Sequence, residues 1–547
     1  FKGCHYPKAI ILYAVYFYAL MNGLILLAIP IGIQSLIGFA QTNTASSSII
    51  VLIILVVISV FAAGIMQVKQ MQIIEKIQQK IFVRYSFDIS KKLPVFKLSA
   101  IDNYYMPELI NRFFDVVTLQ KSLAKLLLDF PLAIIQILFG LILLAFYHPV
   151  FIAFGLTLIL LIWAILYFSG TKGLQKSIEE STHKYKVASW LEEMGRTVSS
   201  IKFFRSPYFL LHKTDEHVTN YLQARTAHFK ILQLQYKTLI VFKTLITLVM
   251  LAVGVFLLLN QQLNVGQFIA SEIVILTIIN SIEKLIVNLD SVYDVLTAVE
   301  KIEQVTDKET ETGGTLLLPD TTEGLRISVN EVGYIYPGAV KPAFSQVSFN
   351  IAPGEKICLQ GDEGTGKSTL LRLLAGCYDN FNGSIVINDI PIRNYDLHSL
   401  RAKTALVTSM QDIFEGTLMD NICMGLEKPD MEELKNLCHI TGLNTFISTL
   451  KNGFDTQLAA NDRKLPDHAV KKILLVRALI SKPKLMLLED PFTGLEEPVQ
   501  KQVKNLLLNS MPNTSMLVIT NDEAFASQCS KIIMLSATGC TVKTIKK

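Results

Sequence analysis

The residues best equipped for chemistry lie at 361–369 and read GDEGTGKST. Glycines, a lysine and hydroxyls at this spacing suit one task, the grip on a chain of phosphates. Gly361, Gly364 and Gly366 let the backbone curl so that its amide hydrogens converge on an anion. Lys367 reaches the terminal phosphates, Ser368 can bind a magnesium ion, and Thr369 completes the cofactor-binding stretch. The motif lies between the strand-like run EKICLQ and the helical pattern KSTLLRLLAG, the strand–loop–helix order this mechanism requires. The competing reading is a vestigial loop that no longer meets a nucleotide.

The elements that must position this loop are short β-rich runs, RISVNEVGYIY, FSQVSFNI, EKICLQG and GSIVIND. They follow the polar stretch TDKETETGGTLLLPDTTEG, which reads as a linker. We therefore expect a membrane-type domain over 1–305, a linker over 306–324 and an α/β P-loop nucleotide-binding domain over 325–547.

The first part has a different solvent. The chain of 547 residues is 51% hydrophobic and only 18% charged, with a mean hydropathy of +0.40. That is too apolar for a soluble protein of this length. Six stretches, at about 9–38, 48–67, 124–147, 149–169, 236–259 and 264–289, are long enough to cross a bilayer as helices. Pro30 interrupts the first. FAQTNTASSS, YHP and NQQLNVGQ between spans carry no Lys or Arg, whereas the segments near 68–123 and 170–235 are rich in both. Those basic segments are expected in the cytoplasm with both termini. The net charge of +5 then orients a membrane protein, and a nucleic-acid partner has little support.

The basic segments continue the helical pattern of the spans, so the helices should project beyond the lipid. At their turning points lie DNYYMPELINRF and SSIKFFRSPYF, aromatic and basic mixtures suited to docking on another domain or to anchoring at lipid headgroups. Glu272 lies inside the sixth span, a functional candidate by default, though it could equally snorkel or face a water-filled cavity. Of seven cysteines, Cys4 precedes the first span and the others lie in the second half without CxxC spacing, which reads as reduced thiols, mostly core. Phe1 as the first residue leads us to expect that the native N-terminus is missing.

Six spans with long cytoplasmic helices followed by a P-loop domain resemble a half-transporter of the ATP-binding-cassette (ABC) exporter family. The likeness extends over nearly the whole chain. GYIYPG resembles the family's aromatic loop, which would make Tyr336 the ring on adenine, against the plainer reading of an ordinary strand aromatic. ALVTSMQDIFEGTLMDNI, NGFDTQL, VRALISKPKLMLLEDP and LVITND continue in register, and NYYMPEL and SSIKFFR would be the ends that dock on nucleotide domains. The resemblance implies ATP and Mg²⁺ as cofactors and a second half-transporter as partner. It also implies a bacterial-type inner membrane with the nucleotide domain in the cytoplasm, and secretion through a periplasmic adaptor.

Several positions depart from the family pattern. Where the family has LSGGQ, this chain has Leu465, Pro466, Asp467, His468 and Ala469, losing a hydroxyl and two glycines and adding a carboxylate. Where the family has Asp then Glu, this chain has Glu489, on the metal's side, then Asp490, a catalytic carboxylate one methylene shorter. The family's switch histidine falls on Asn521, whose amide lacks an imidazole's charge. The glutamine-loop position falls on Ser409, with Gln411 as a substitute metal contact, and TGLE stands where the family has SALD. The expectation is a chain that binds ATP and hydrolyses it slowly or not at all, as a scaffold or nucleotide-gated platform. The alternative is an ATP-driven exporter, as the degenerate half of a heterodimer or a slow homodimer.

Overall fold

The structure is a computed structural model that describes residues 8–41, 46–203, 205–206, 208–408, 413–426, 428–458 and 465–545. Two compact units emerge, one of Phe1–Val95 with Tyr104–Lys308 and one of Phe96–Asn103 with Glu309–Lys547.

The first unit is helical. Among the described residues, six helical segments are long and apolar enough to cross a membrane: Leu12–Gln41, Ser47–Val95, Met106–Tyr147, Val150–Arg196, Tyr208–Leu259 and Val265–Thr306. Their lengths exceed what a bilayer needs. The 47-residue helix Val150–Arg196 and the 52-residue helix Tyr208–Leu259 run about 70–80 Å at 1.5 Å per residue, against a hydrocarbon core of about 30 Å. The apolar stretches are therefore sections of longer rods. The first segment breaks at Leu27, between helices Lys8–Leu26 and Ala28–Gln41, because Pro30 has no N–H for the carbonyl four residues earlier.

Polar side chains join these rods away from the apolar spans. Asp115, 4% exposed, accepts hydrogen bonds from Tyr185 at 2.7 Å and Lys184 at 3.1 Å. Glu180 pairs with Arg225 at 2.8 Å and with His228 Nδ1 at 2.7 Å. Glu272 sits in the helix Val265–Val287, and its Oε1 has no hydrogen-bond partner among the described residues. Phe203, in the second docking stretch expected from the sequence, is 87% exposed, and Phe204 lies outside the described residues.

The second unit is α/β. Its strands are β1 (Ile327–Tyr334), β2 (Phe344–Ile351), β3 (Lys356–Gln360), β4 (Asn382–Ile387), β5 (Ile390–Pro391), β6 (Thr404–Val407), β7 (Gly416–Thr417), β8 (Gln457–Leu458), β9 (Leu485–Glu489), β10 (Ser515–Ile519), β11 (Lys531–Ser536) and β12 (Gly539–Thr544). One sheet has the order β2-β1-β4-β5 and the larger one β12-β11-β3-β10-β9-β6. In the larger sheet β11, β3, β10, β9 and β6 are parallel. LMLL of β9 and MLVI of β10 read as unbroken apolar runs because both faces of these strands are covered. The chain leaves β3 and next enters this sheet at the far edge, as β6, so β9 and β10 are inserted between them. That order puts the C-terminal tips of β3, β10 and β9 side by side, where an open α/β sheet forms its ligand crevice.

The polar stretch after Glu309 packs onto this unit, because it carries its own apolar and charged anchors. Leu318 is buried in the core between the two sheets, and Glu311 takes both guanidinium nitrogens of Arg401 at 2.7 Å. Of the cysteines among the described residues, Cys358, Cys423, Cys438 and Cys529 are buried.

Candidate nucleotide-binding site

The loop Gly361–Gly366 joins the end of β3 to the helix Lys367–Leu374. The glycines are required by their backbone. Gly361, Gly364 and Gly366 have φ of 146°, 78° and 81°, in the region that favours glycine. A Cβ on Gly361 would lie 2.3 Å from the Leu535 carbonyl oxygen, and one on Gly366 would lie 2.6 Å from Phe344 Cδ1. At Gly361 and Gly366 there is room for a curled backbone and for nothing larger, whereas Gly364 is set by its φ alone.

Lys367 Nζ donates to the carbonyls of Gly361 at 2.7 Å and Asp362 at 2.6 Å, so the ammonium bridges the mouth of the loop. Ser368 Oγ donates to Glu489 Oε1 at 2.6 Å. This contact brings the loop after β3 to the tip of β9, across a sequence separation that only the strand order explains. A hydroxyl beside a carboxylate is a hard-oxygen pair suited to magnesium or its water shell. The glycine curl, the lysine and this pair together fit a magnesium-bound polyphosphate.

Tyr336 follows β1 and is half-buried. Its hydroxyl lies 2.8 Å from Thr369 Oγ1, so Thr369, 6% exposed, is turned toward the tyrosine rather than along the loop. The Tyr336 ring meets Tyr334 and Tyr378 edge-on, at centroid distances of 5.0 and 5.8 Å.

Asp490 follows Glu489 with φ of 44°, and its N–H donates to the Ile519 carbonyl at 2.9 Å, tying the tips of β9 and β10 together. Loss of hydration, and then the neighbouring Glu489 carboxylate, raise its carboxyl above the usual aspartate range, while Lys471 and Lys367 act against that rise. Asn521 is exposed just beyond β10. The next residue, Asp522, caps the short helix Glu523–Ala526. Leu465 and Pro466 lead into the helix Asp467–Ile480, with Asp467 and His468 exposed at its start and Ala469 buried. Pro466 keeps extended backbone, so the proline opens this helix without disrupting it. Ser409 and Gln411 lie outside the described residues.

Three contributors were not singled out from the sequence. Lys471 donates to the Thr493 carbonyl at 2.9 Å and acts on Asp490; its place one turn after Asp467 was the available signal. Lys472, 4% exposed at its side chain, pairs with Glu496 at 2.9 Å, joining the helix after Pro466 to the loop after β9. Tyr378 packs behind Tyr336 and had no motif to mark it.

Two family models match the chain. The ABC transporter transmembrane region matches residues 12–282 and the ABC transporter domain matches residues 344–493. Among relatives, the ATP-dependent lipid A-core flippase of Burkholderia orbicola (strain AU 1054) is 28% identical over 280 residues, 51% of this chain and 46% of that protein. The flippase of the same name from Thiobacillus denitrificans (strain ATCC 25259 / T1) is 29% identical over 295 residues, 53% of this chain and 51% of that protein. The chain thus spans about half the length of these relatives. A solved structure of a bacterial Atm1-family ABC exporter with ATP bound superposes with a TM-score of 0.85 at 16% identity, covering 98% of this chain and 96% of that one. Six apolar helical segments and a P-loop α/β unit with these matches place the chain among the ABC transporters, as a multi-pass membrane protein with the fold of an ABC exporter.

Proposed function

We propose that this chain is one half of an exporter-type dimer that binds Mg-ATP and hydrolyses it slowly or not at all, acting as a scaffold or nucleotide-gated platform. The observation that carries this reading is a division of the site. The groups that meet ground-state phosphate and metal, the glycine curl, Lys367 and Ser368 with Glu489, stand together. The groups needed as charge develops at the γ-phosphate are the altered ones: Asp490, Asn521 and the segment 465–469. Loss of a general base costs about 10²–10⁴ in rate, so several altered positions in one site lower turnover far more than affinity.

On this reading Lys367, Ser368, Thr369 and Tyr336 hold the nucleotide, Ser368 and Glu489 hold the magnesium, and Gln411 is a further metal contact. Bound magnesium supplies charge neutralisation at the phosphates. The functional domains are 1–305, a linker at 306–324, and 325–547, with the nucleotide domain on the cytoplasmic face of a bacterial inner membrane. A second half-transporter completes the transport path.

The relatives' printed name, an ATP-dependent flippase, favours a second reading, in which the chain takes part in ATP-driven export of an amphipathic lipid. Adaptor-linked secretion is retained only as the expectation from the sequence. Steady-state ATPase activity of the purified full chain in lipid nanodiscs separates the readings. Turnover below about 0.01 per second supports the platform; about 1 per second or faster, within the usual enzyme range, overturns it in favour of the exporter.

A further inference from the structure

The helix that begins at the phosphate loop ends on a second polar contact. Lys367–Leu374 stops at Gly376, whose φ of 69° closes the turn, and the Cys377 N–H returns to the Arg372 carbonyl at 2.9 Å. Tyr378 and Asp379 follow at once, in fixed positions. Both grip the segment Phe96–Asn103. Tyr378 donates its hydroxyl to Asp102 Oδ2 at 3.0 Å, and Asp379 pairs with Lys97 at 3.1 Å. Leu98 packs against the same core cluster as Leu370 and Leu371 of the helix, and Phe96 bridges to Thr310. Both ends of this segment continue into chain that belongs to the first unit.

Tyr378 also faces the proposed base site. Its ring lies 5.8 Å from the Tyr336 ring at 85° and 4.9 Å from Tyr334. Tyr378 is 4% exposed, and Arg372 is a second hydrogen-bond partner of its hydroxyl. Burial first, then Tyr336 and Asp102, push that hydroxyl well above the ordinary tyrosine range, so it remains a donor at every working pH.

We propose that Tyr378 is a positioning residue: it holds the Tyr336 ring for the nucleotide base and, through its hydroxyl on Asp102, transmits occupancy of that ring to the segment 96–103. The proposal rests on the nucleotide reading of Tyr336 given above. A ring packed edge-on against another cannot follow a displaced neighbour without its own hydroxyl moving, and that hydroxyl is tied to Asp102. The base therefore acts on the segment by a route separate from the phosphates, which act on the N-terminal end of the same helix.

The test is hydrogen exchange of the backbone amides of 97–103 in the full chain in nanodiscs, with no nucleotide, with Mg-ATP and with Mg-triphosphate. Nucleotide binding is titrated in parallel. The readout is the change caused by nucleotide, which a purely structural role for Tyr378 would not move. In the parent, Mg-ATP slows exchange by about 2- to 10-fold, the range of one hydrogen bond, and Mg-triphosphate does not. Tyr378→Phe keeps the ring and the fold, still binds ATP and loses the response. Asp102→Asn keeps an acceptor oxygen and retains it, whereas Asp102→Ala loses it. A full response in Tyr378→Phe, or an equal response to triphosphate, overturns the proposal while leaving nucleotide binding intact. Failure of the parent to bind ATP in the titration overturns the nucleotide reading and this proposal with it.

Discussion

Ser368 Oγ and Glu489 Oε1 lie 2.6 Å apart, joining a loop hydroxyl after β3 to a carboxylate at the tip of β9. The pair is the point at which binding of phosphate becomes binding of metal. Ser368→Ala should reduce the magnesium-dependent part of ATP affinity by about tenfold or more, the scale of a hydrogen bond to a charged group. Titrations with Mg²⁺ and with a chelator measure it; an unchanged difference between the two would sink the assignment. Glu489→Gln should behave alike.

Asp490 carries a pH signature. Its carboxyl is raised above the usual range, so the folded chain holds that proton more tightly than the unfolded chain does. Stability from this group is therefore present at low pH and lost as pH rises through the carboxylate range. Asp490→Asn removes the charged form and should raise the thermal unfolding midpoint at pH 7, with the gain fading as pH falls toward about 4 and gone below it. A gain independent of pH would show that Asp490 is not the titrating group.

Turnover should resist single repairs. Asp490→Glu alone should restore little ATPase activity, because the segment 465–469 still presents Asp467 and lacks a hydroxyl. Rebuilding Leu465–Ala469 as LSGGQ, together with Asp at 489, Glu at 490 and His at 521, should raise the rate by about 10² or more, the size of one restored charge-stabilising donor. Full recovery by the single change would assign the whole defect to one methylene.

Lys356 offers a test of the sheet rather than the site. Its ammonium, 7% exposed, donates to the carbonyls of Gly354, Met511 and Thr514 at 3.1, 2.6 and 2.5 Å. Burial lowers its pKa to about 8 from 10.5. The folded chain thus releases this proton before the unfolded chain, and stability from the group rises between about pH 8 and 10.5. Lys356→Met takes the ammonium donor away from three carbonyls, of which only that of Met511 keeps another, from the Thr514 N–H, and should cost about 1–3 kcal/mol. The gap between parent and variant, followed by thermal unfolding, should widen from pH 7.5 to 9.5. A narrowing gap would mean that the carbonyl cage outweighs burial.

The six spans and the α/β unit were legible because apolar runs and the period-two strands are local properties. Glycines at 361, 364 and 366 were legible because their conformational need is intrinsic. Contacts made by topology were not. Nothing in EKICLQ or LMLLE announces that β3 and β9 flank β10, so the Ser368–Glu489 contact is visible only in the folded sheet. The sequence points to NYYMPEL as a docking stretch, and nothing in it marks the segment 96–103, mostly upstream, that Tyr378 and Asp379 grip. Its anchors, Phe96, Lys97 and Asp102, are an ordinary mixture that gains meaning only opposite its partners. Thr369 was grouped with the loop, and its turn toward Tyr336 depends on β1 lying beside the helix.

The larger sheet also bears on how such a protein can change over generations. The curl after β3, the carboxylates at the tip of β9 and the amide after β10 each end a strand whose own interior is apolar and buried. A side-chain substitution at one tip leaves the buried strand interiors in place, so the chemistry of the tips can change while the sheet does not. A lineage that no longer needs fuel can discard one and keep the others, with the architecture inherited whole.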